Sequence, residues 1–259
     1  MRIDGAVALV TGASRGIGRA TAIALAVRGA KLALTSRNAD ELEAVASGIR
    51  SGGGKAISLV GDVTERSEVE QVVSAVQDRW GRVDILVANA GAYHRRPVLD
   101  LSATDIEAAM AVNFYGAVYA ILAVLPAMVA RGSGRLVLVN SVDGRRALPG
   151  DAPYTIAKFA LAGLGQALRQ ELRPHGIGVT SIFPGRVDTA MTSHLAFPRI
   201  SSKLPPEKVA DAIVHAIRRN RSNVIVPRRA AGLLFVDLLS PRLADWLVEH
   251  LRLSGTEIR

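Results

Sequence analysis

The chain of 259 residues contains no cysteine. Disulfides, zinc–thiolate sites and thiol catalysis are thereby excluded, no metal site is expected, and a reducing cytoplasm is the expected location. Aromatic residues are scarce, at 4%, so stacking platforms for single-stranded nucleic acid are not expected. Long apolar runs are scarce as well. Only 108–130 is free of formal charge over the roughly 20 residues that a membrane span needs, and Asn113 and Pro126 interrupt it. It reads as a helix buried in a core or a subunit interface, not as an integral membrane segment. A secretory leader is not expected either: Asp4 breaks the start, and the apolar run Ala6–Val10 is too short for one and reads as a first strand. Acidic residues are the minority, 23 against 32 Lys and Arg, for a net charge of +9. The cations are scattered as pairs (Arg95-Arg96, Arg145-Arg146, Arg218-Arg219, Arg228-Arg229) and form no stripe. That distribution fits an enzyme attracting phosphorylated or acidic small molecules better than a nucleic-acid partner.

The chain also lacks internal repeats and long linkers. Its length suits one α/β domain spanning 1–259. Short apolar runs at Val7–Thr11, Lys31–Ser36, Lys55–Gly61, Asp84–Ala88, Arg135–Asn140, Gly178–Phe183 and Asn223–Val226 alternate with helical stretches. The latter run over Arg15–Arg28, Ala39–Ser51, Ser67–Trp80, Thr104–Ala130, Ala152–Arg173 and Pro206–Arg219. Gly29 suits a left-handed cap after the first helix, Thr64 offers a cap before the third, and Pro206 suits a first helical turn. Continuous apolar strands alternating with helices predict a Rossmann-like, doubly wound, seven-stranded parallel sheet with helices on both faces. Its ligand crevice lies beyond the strand C-termini.

The residues there carry chemistry. Thr11-Gly12-Ala13-Ser14-Arg15-Gly16-Ile17-Gly18 follows the first strand and opens the first helix. A glycine-rich turn lets backbone approach a pyrophosphate, and the helix N-terminus supplies N–H groups and a positive dipole. The second strand ends in Ser36-Arg37, with no carboxylate before Asp40. An acidic residue there bonds a ribose 2′-hydroxyl, whereas Arg accommodates a 2′-phosphate. Arg37, joined by Arg15, therefore predicts NADP(H). Gly61-Asp62-Val63 follows the third strand, and Ala88-Asn89-Ala90-Gly91 the fourth, where small residues let a flat ring lie against backbone.

Tyr154 and Lys158 are four apart on a helical stretch and so share a face. A phenol has an ordinary pKa near 10, and a nearby ammonium is expected to lower it. Such a Tyr protonates a nascent alkoxide, or deprotonates an alcohol in reverse. Ser141, just after the fifth strand, offers its hydroxyl to the substrate oxygen. Asn113, a polar amide in an apolar run, must find partners. Each feature alone is commonplace; their coincidence with the glycine turn is not.

Taken together, TGASRGIG at 11–18, Asp62-Val63, NAG at 89–91, Asn113, Ser141, Tyr154-x-x-x-Lys158 and Pro184-Gly185-x-x-x-Thr189 resemble the single-domain branch of the short-chain dehydrogenase/reductase family. The resemblance runs from about Ala6 to Thr189. It implies Tyr154 as general acid/base, Lys158 as the group that tunes it and bonds the nicotinamide ribose, and Ser141 as the holder of the substrate oxygen. Asn113 would hold a water linking Lys158 to a proton relay. Asp62 and Val63 would flank the adenine, and Val187 and Thr189 would fix the carboxamide. A strand order 3-2-1-4-5-6-7 follows, as do homodimers or homotetramers assembled through helices 108–130 and 152–173. Two positions depart from the family pattern. Ala88 stands where the family often has Asn. Val226-Pro227-Arg228-Arg229 stands where many relatives, the β-ketoacyl carrier-protein reductases among them, have a glycine-rich segment. The chain looks more like the branch of steroid- and lipid-type carbonyl reductases.

Residues 190–205, with Met191, Leu195, Phe197 and Pro198, are expected to form a substrate loop. The apolar tail 230–253 adds Leu233, Leu234, Phe235, Leu238, Leu239 and Trp246. Apolar lids favour apolar substrates, so a medium-sized apolar ketone or secondary alcohol is expected. Tyr93, His94, Asp143 and Arg145 stand within reach of such a site. Two alternatives stand beside this reading: a non-catalytic dinucleotide sensor, and a peripheral membrane-associated protein using the basic residues and the tail.

Overall fold

A computed structural model describes residues 1–193, 195–196, 198 and 201–254, and the backbone of 256–257. In chain order the elements are β1 (Val7–Thr11), α1 (Gly16–Ala26), β2 (Lys31–Ser36), α2 (Ala39–Ser51), β3 (Lys55–Val60), α3 (Arg66–Trp80), β4 (Ile85–Ala88), α4 (Ala103–Met110), α5 (Gly116–Arg131), β5 (Gly134–Val139), α6 (Ala152–Glu171), β6 (Ile177–Pro184), β7 (Leu195–Ala196), α7 (Pro206–Arg219), β8 (Asn223–Val226), α8 (Ala230–Leu239), α9 (Pro241–His250) and β9 (Thr256–Glu257). Seven strands form one parallel sheet in the order β3-β2-β1-β4-β5-β6-β8. The order reverses at β1, which opens the crevice between the C-terminal ends of β1 and β4. The short strands β7 and β9 pair antiparallel outside this sheet.

The strands read as continuous apolar runs because both faces are covered. Successive side chains point to opposite faces. Ala8 and Val10, Leu32 and Leu34, Ile85 and Val87 pack under α1, α2 and α7, where Leu25, Leu42 and Ile213 are fully buried. Leu9, Leu86, Leu136 and Leu138 pack on the other face under α3, α5 and α6, against Val72, Val76, Val124 and Leu161.

The stretch expected as one helix over Thr104–Ala130 is two helices, α4 and α5, joined by a π-helical turn at Ala111–Tyr115. Asn113 accounts for the break. Its amide nitrogen donates to the carbonyl of Ala109, one turn back, at 3.0 Å and to Ala92 at 2.9 Å. Its oxygen accepts from the Ala92 N–H at 3.2 Å. A side chain that takes an i−4 carbonyl competes with the helical ladder, and π-turns of this kind concentrate at functional sites. By length and composition alone Ala103–Arg131 is apolar enough to cross a membrane. Here the α5 face of Ala120, Ile121, Val124 and Met128 lies on the sheet, as in a core helix.

Gly29 takes the left-handed conformation expected of it, with φ 83°. Thr64 does not cap α3. The N-cap is Glu65, whose side chain makes no cap bond. The Thr64 hydroxyl and N–H instead both donate to Asp62 Oδ1, at 2.9 Å, because a carboxylate two residues back is the stronger acceptor.

Asp84 joins three elements below the sheet. It is buried, and its Oδ2 accepts from the Val7 N–H at 2.9 Å and from Arg82 Nε at 3.0 Å. The Arg131 guanidinium at the end of α5 lies 3.8 Å from Oδ1. Asp84→Ala strands a buried N–H and removes the carboxylate that faces Arg82 and Arg131, so urea unfolding is expected to show a loss of about 2–3 kcal/mol. A loss under about 0.5 kcal/mol would mean that water replaces the carboxylate without penalty.

Candidate active site

A cleft of about 760 Å³ opens above the C-terminal ends of the strands. Its floor is the turn between β1 and α1. Gly12 has φ +63°, and a Cβ there would lie 2.8 Å from the Ala90 Cα, so no side chain fits where the turn passes β4. Asn89 fastens this crossing. Its amide nitrogen donates to the carbonyls of Thr11 and Gly12 at 2.9 and 3.1 Å. In return the Thr11 hydroxyl accepts from the N–H groups of Asn89 and Ala90, both at 3.0 Å. α1 then starts with no acidic residue in its first turn, leaving its N–H groups and dipole free for an anion.

Gly12, Ser14, Arg15, Gly16 and Ile17 line the cleft, as do Ser36, Arg37, Asp62, Val63, Asn89, Ala90 and Gly91. Gly18 does not. It is buried behind the turn, where a side chain would run into the Gly12 carbonyl, so its part is helix–strand packing. Arg37 is exposed, with Nη1 3.7 Å from Asp62 Oδ2, and Arg15 is exposed at the mouth of the turn. A backbone cradle closed to side chains and a free helix N-terminus fit the pyrophosphate of a dinucleotide.

At the other end of the cleft lie Asn113, Ser141, Tyr154, Lys158, Pro184, Gly185, Val187 and Thr189. Tyr154 and Lys158 stand one turn apart on α6, with Nζ 5.5 Å from the phenol ring centroid. Both are buried. Lys158 Nζ donates to the Val139 carbonyl at 3.1 Å. Gly91 brings backbone against this group: a Cβ there would sit 2.8 Å from Asn113 Oδ1 and 3.7 Å from Lys158 Nζ. The Ser141 hydroxyl donates to Asp143 Oδ2 and accepts from the Asp143 N–H, both at 3.1 Å.

The electrostatics differ from the expectation that Lys158 lowers the Tyr154 pKa. Burial, followed by the carboxylate of Asp143, pushes the phenol above its ordinary value, while the Ser141 hydroxyl pulls it down. Burial brings Lys158 down to about 8, against the attraction of Asp143. Asp143 is itself raised to about 6, first by burial and then by Asp151. Without a bound partner the site therefore holds Tyr154 as a neutral acid.

Of the residues named as being within reach, Tyr93 and Asp143 line the cleft. Tyr93 packs edge-on against Tyr154, with centroids 5.0 Å apart. Arg145 instead stacks on Phe183, 4.4 Å from the ring centroid, and His94 is not part of the lining. From the loop and tail, Met191, Leu233 and Leu234 line the cleft, joined by Val236, Leu247, Leu251 and Leu253. Leu195 is buried away from it, while Phe235, Leu238, Leu239 and Trp246 face outward. Phe197 lies outside the described residues. An amphipathic helix has two faces, and composition alone does not say which one the cleft receives.

Sequence reasoning missed Asn140, Asp151, Arg146 and Arg186. Asn140 is buried and donates to the Lys158 carbonyl at 3.1 Å while accepting from the Ser141 N–H at 2.8 Å. Asp151 is fully buried just before α6, with Arg95 Nε 2.9 Å from Oδ1. Arg146 pairs with Asp237 and Asp245 of the tail. The flanks of Ser141 and Tyr154 carried the signal: charged residues beside a buried constellation.

The lowered pKa of Lys158 has a consequence for stability. The folded state binds fewer protons than the unfolded chain between about pH 8 and the ordinary value of 10.5. The destabilisation is therefore complete below pH 8 and is relieved as pH rises through this window. It amounts to about 3 kcal/mol at neutral pH. Lys158→Met is expected to raise the melting temperature of the ligand-free protein at pH 7, with the gain shrinking towards pH 10. A gain independent of pH would show that packing, not charge burial, is responsible.

The short chain dehydrogenase profile matches residues 6–197. A glycine betaine reductase, ATRR, of Emericella nidulans is 36% identical over 226 residues, which is 84% of this chain but 18% of that much longer protein. A 3-oxoacyl-[acyl-carrier-protein] reductase of Synechocystis is 36% identical over 214 residues, 80% of this chain and 87% of the relative. Among solved structures, a short-chain dehydrogenase/reductase from Burkholderia phymatum in complex with NAD superposes with a TM-score of 0.86 at 25% identity. That match covers 94% of this chain and 96% of the other. With the doubly wound sheet and the dinucleotide cradle already in place, these matches establish that the chain belongs to the short-chain dehydrogenase/reductase family of oxidoreductases.

Proposed function

We propose that the protein is an NADP(H)-dependent oxidoreductase acting on a carbonyl or secondary alcohol, with Tyr154 as the acid/base. The observation that carries this reading is the buried, neutral Tyr154 phenol with Lys158 one turn away and Ser141 beside it, at the end of a cleft that fits a dinucleotide. The bound dinucleotide supplies or accepts the hydride. Gly12, Ser14, Gly16, Ile17 and the α1 N-terminus hold its pyrophosphate, while Ser36, Arg37 and Arg15 take the 2′-phosphate. Asp62 and Val63 flank the adenine. Asn89, Ala90, Gly91, Pro184, Gly185, Val187 and Thr189 shape the nicotinamide end. Ser141 and Tyr154 bond the substrate oxygen, and Tyr154 gives it a proton as its negative charge develops. Lys158 faces the phenolate left behind and stabilises it. Asn113 fixes the π-turn against the Ala92 backbone and so sets the height of the floor under Lys158.

The wall of Val142, Leu148, Met191, Leu233, Leu234 and Leu247 favours an apolar substrate body. The chain is read as one domain with a loop at 190–205 and a helical tail at 230–253. Exposed Tyr115 at the end of the π-turn and Leu122 on α5, with Ile156 and Phe159 on α6, favour assembly through these helices into a homodimer or homotetramer.

Titration followed by nicotinamide fluorescence is expected to favour NADPH over NADH by at least tenfold, about 1.4 kcal/mol. Arg37→Ala should erase most of that margin. Tyr154→Phe should abolish turnover while binding NADPH as before; turnover at the original rate would sink the acid/base assignment. A preference for NADH would refute the 2′-phosphate reading alone.

A further inference from the structure

Behind the Ser141 hydroxyl lies a buried acidic pair that the reaction described above does not use. Asp143 stands on the turn after β5, and Asp151 on the loop before α6; the two are 7% and 0% exposed. Each has one oxygen engaged, Asp143 Oδ2 by Ser141 and Asp151 Oδ1 by Arg95. Their other oxygens, Asp143 Oδ1 and Asp151 Oδ2, are buried with no partner in close hydrogen-bond geometry, though the Tyr93 phenol faces Asp151 and the Arg186 guanidinium acts on both. Leaving two ionised carboxylates in that condition is costly, and a proton held by one of them removes the cost.

Ser141 gives this proton a use. A serine hydroxyl has a single hydrogen to donate. In the structure the carboxylate of Asp143, with Oδ2 at 3.1 Å, and the Tyr154 phenol compete for that hydrogen. We propose that Asp143 is a positioning residue whose proton sets the direction of the Ser141 hydroxyl. Protonated, Asp143 donates to Ser141 Oγ, and the Ser141 hydrogen turns towards Tyr154 and the substrate oxygen. Ionised, Asp143 draws that hydrogen to itself, and the substrate oxygen loses one of its two donors. Carbonyl reduction thus runs on the acid form of Asp143. The inference rests on the reading of Ser141 and Tyr154 as the groups that hold the substrate oxygen.

The surroundings tune this switch from every side. Asp151 raises the Asp143 pKa, while Arg186 beyond β6 and Lys158 of α6 lower it, and burial dominates, for a value of about 6. Tyr93, from the segment after β4, faces Asp151, and Arg95 pairs with it. Tyr154 feels both carboxylates.

Two measurements on the full chain test the switch. The first is an infrared titration of the protonated-carboxyl stretch in the ligand-free protein, wild type against Asp143→Asn. A carboxyl titrating near pH 6 in wild type and missing from the variant is expected. No such carboxyl would overturn the proposal. The second is NADPH-dependent reduction of benzaldehyde, acetophenone and diacetyl from about pH 5 to about pH 8. Wild-type kcat/KM is expected to fall at least about tenfold across this range. Asp143→Asn, whose amide nitrogen donates to Ser141 at every pH when it takes the Oδ2 position, should stay active with a flat profile. Asp143→Glu should restore the fall, and Asp151→Asn should move it to lower pH. A fall that survives in Asp143→Asn, or an inactive variant of wild-type melting temperature, overturns the proposal. Binding of NADPH without reduction of any probe by wild type would count against the carbonyl-reductase reading itself, and the infrared titration would then decide the protonation of Asp143 alone.

Discussion

The reciprocal bonding between Thr11 and Asn89 is the constraint on which the cleft depends. A parallel sheet leaves the C-terminal ends of its strands without a common partner, and the crevice at the reversal of strand order would otherwise gape or collapse. Here one hydroxyl and one amide bind the ends of β1 and β4 through four hydrogen bonds, all made to backbone. The glycine turn is drawn so close to Ala90 that only a residue without a Cβ serves at position 12. The backbone surface offered to a dinucleotide is therefore rigid before anything binds, and the ordering cost is met in folding rather than in binding.

The reacting end follows a different rule. Tyr154, Lys158, Asn113, Ser141, Asp143 and Asp151 are all buried, in an interior whose largest part is aliphatic. Some are fully partnered: Asn113 is satisfied by Ala92 and Ala109, and its bonding deforms the helix into a π-turn. Others are not, and their pKa values move accordingly. Burial drives Lys158 down and Asp143 up. These shifts are the expected mark of a site that gives up stability so that groups can exchange protons near neutral pH.

Much of this was legible in the sequence, for physical reasons. Strands buried on both faces leave an apolar run, and the runs at Val7–Thr11, Lys31–Ser36 and Asn223–Val226 coincide with β1, β2 and β8. The glycine turn and the Tyr154–Lys158 spacing are local, so their positions in space follow from one turn of backbone. The cleft gathers the named residues, with Gly18 behind it. What was not legible depended on tertiary partners. The π-turn arises because Ala92, 21 residues away, meets Asn113. The failure of Thr64 to cap α3 depends on where Asp62 points. The raised pKa of Tyr154 comes first from its burial and then from carboxylates that look like surface loop residues in the sequence.

Arg146 shows how these parts become one device. It sits three residues beyond Asp143, on the segment after β5, and its guanidinium holds Asp237 of α8 and Asp245 of α9. The helices that present Leu233, Leu234 and Leu247 to the cleft are thus tied to the turn that carries Asp143. Arg186, from the end of β6, reaches in the same way to the Leu253 carbonyl at the end of the tail. It is also one of the cations that moderate Asp143. The tail that walls the cleft and the turn that carries Asp143 are joined here through two guanidinium groups, across distances that neither a helix propensity nor a strand pattern encodes.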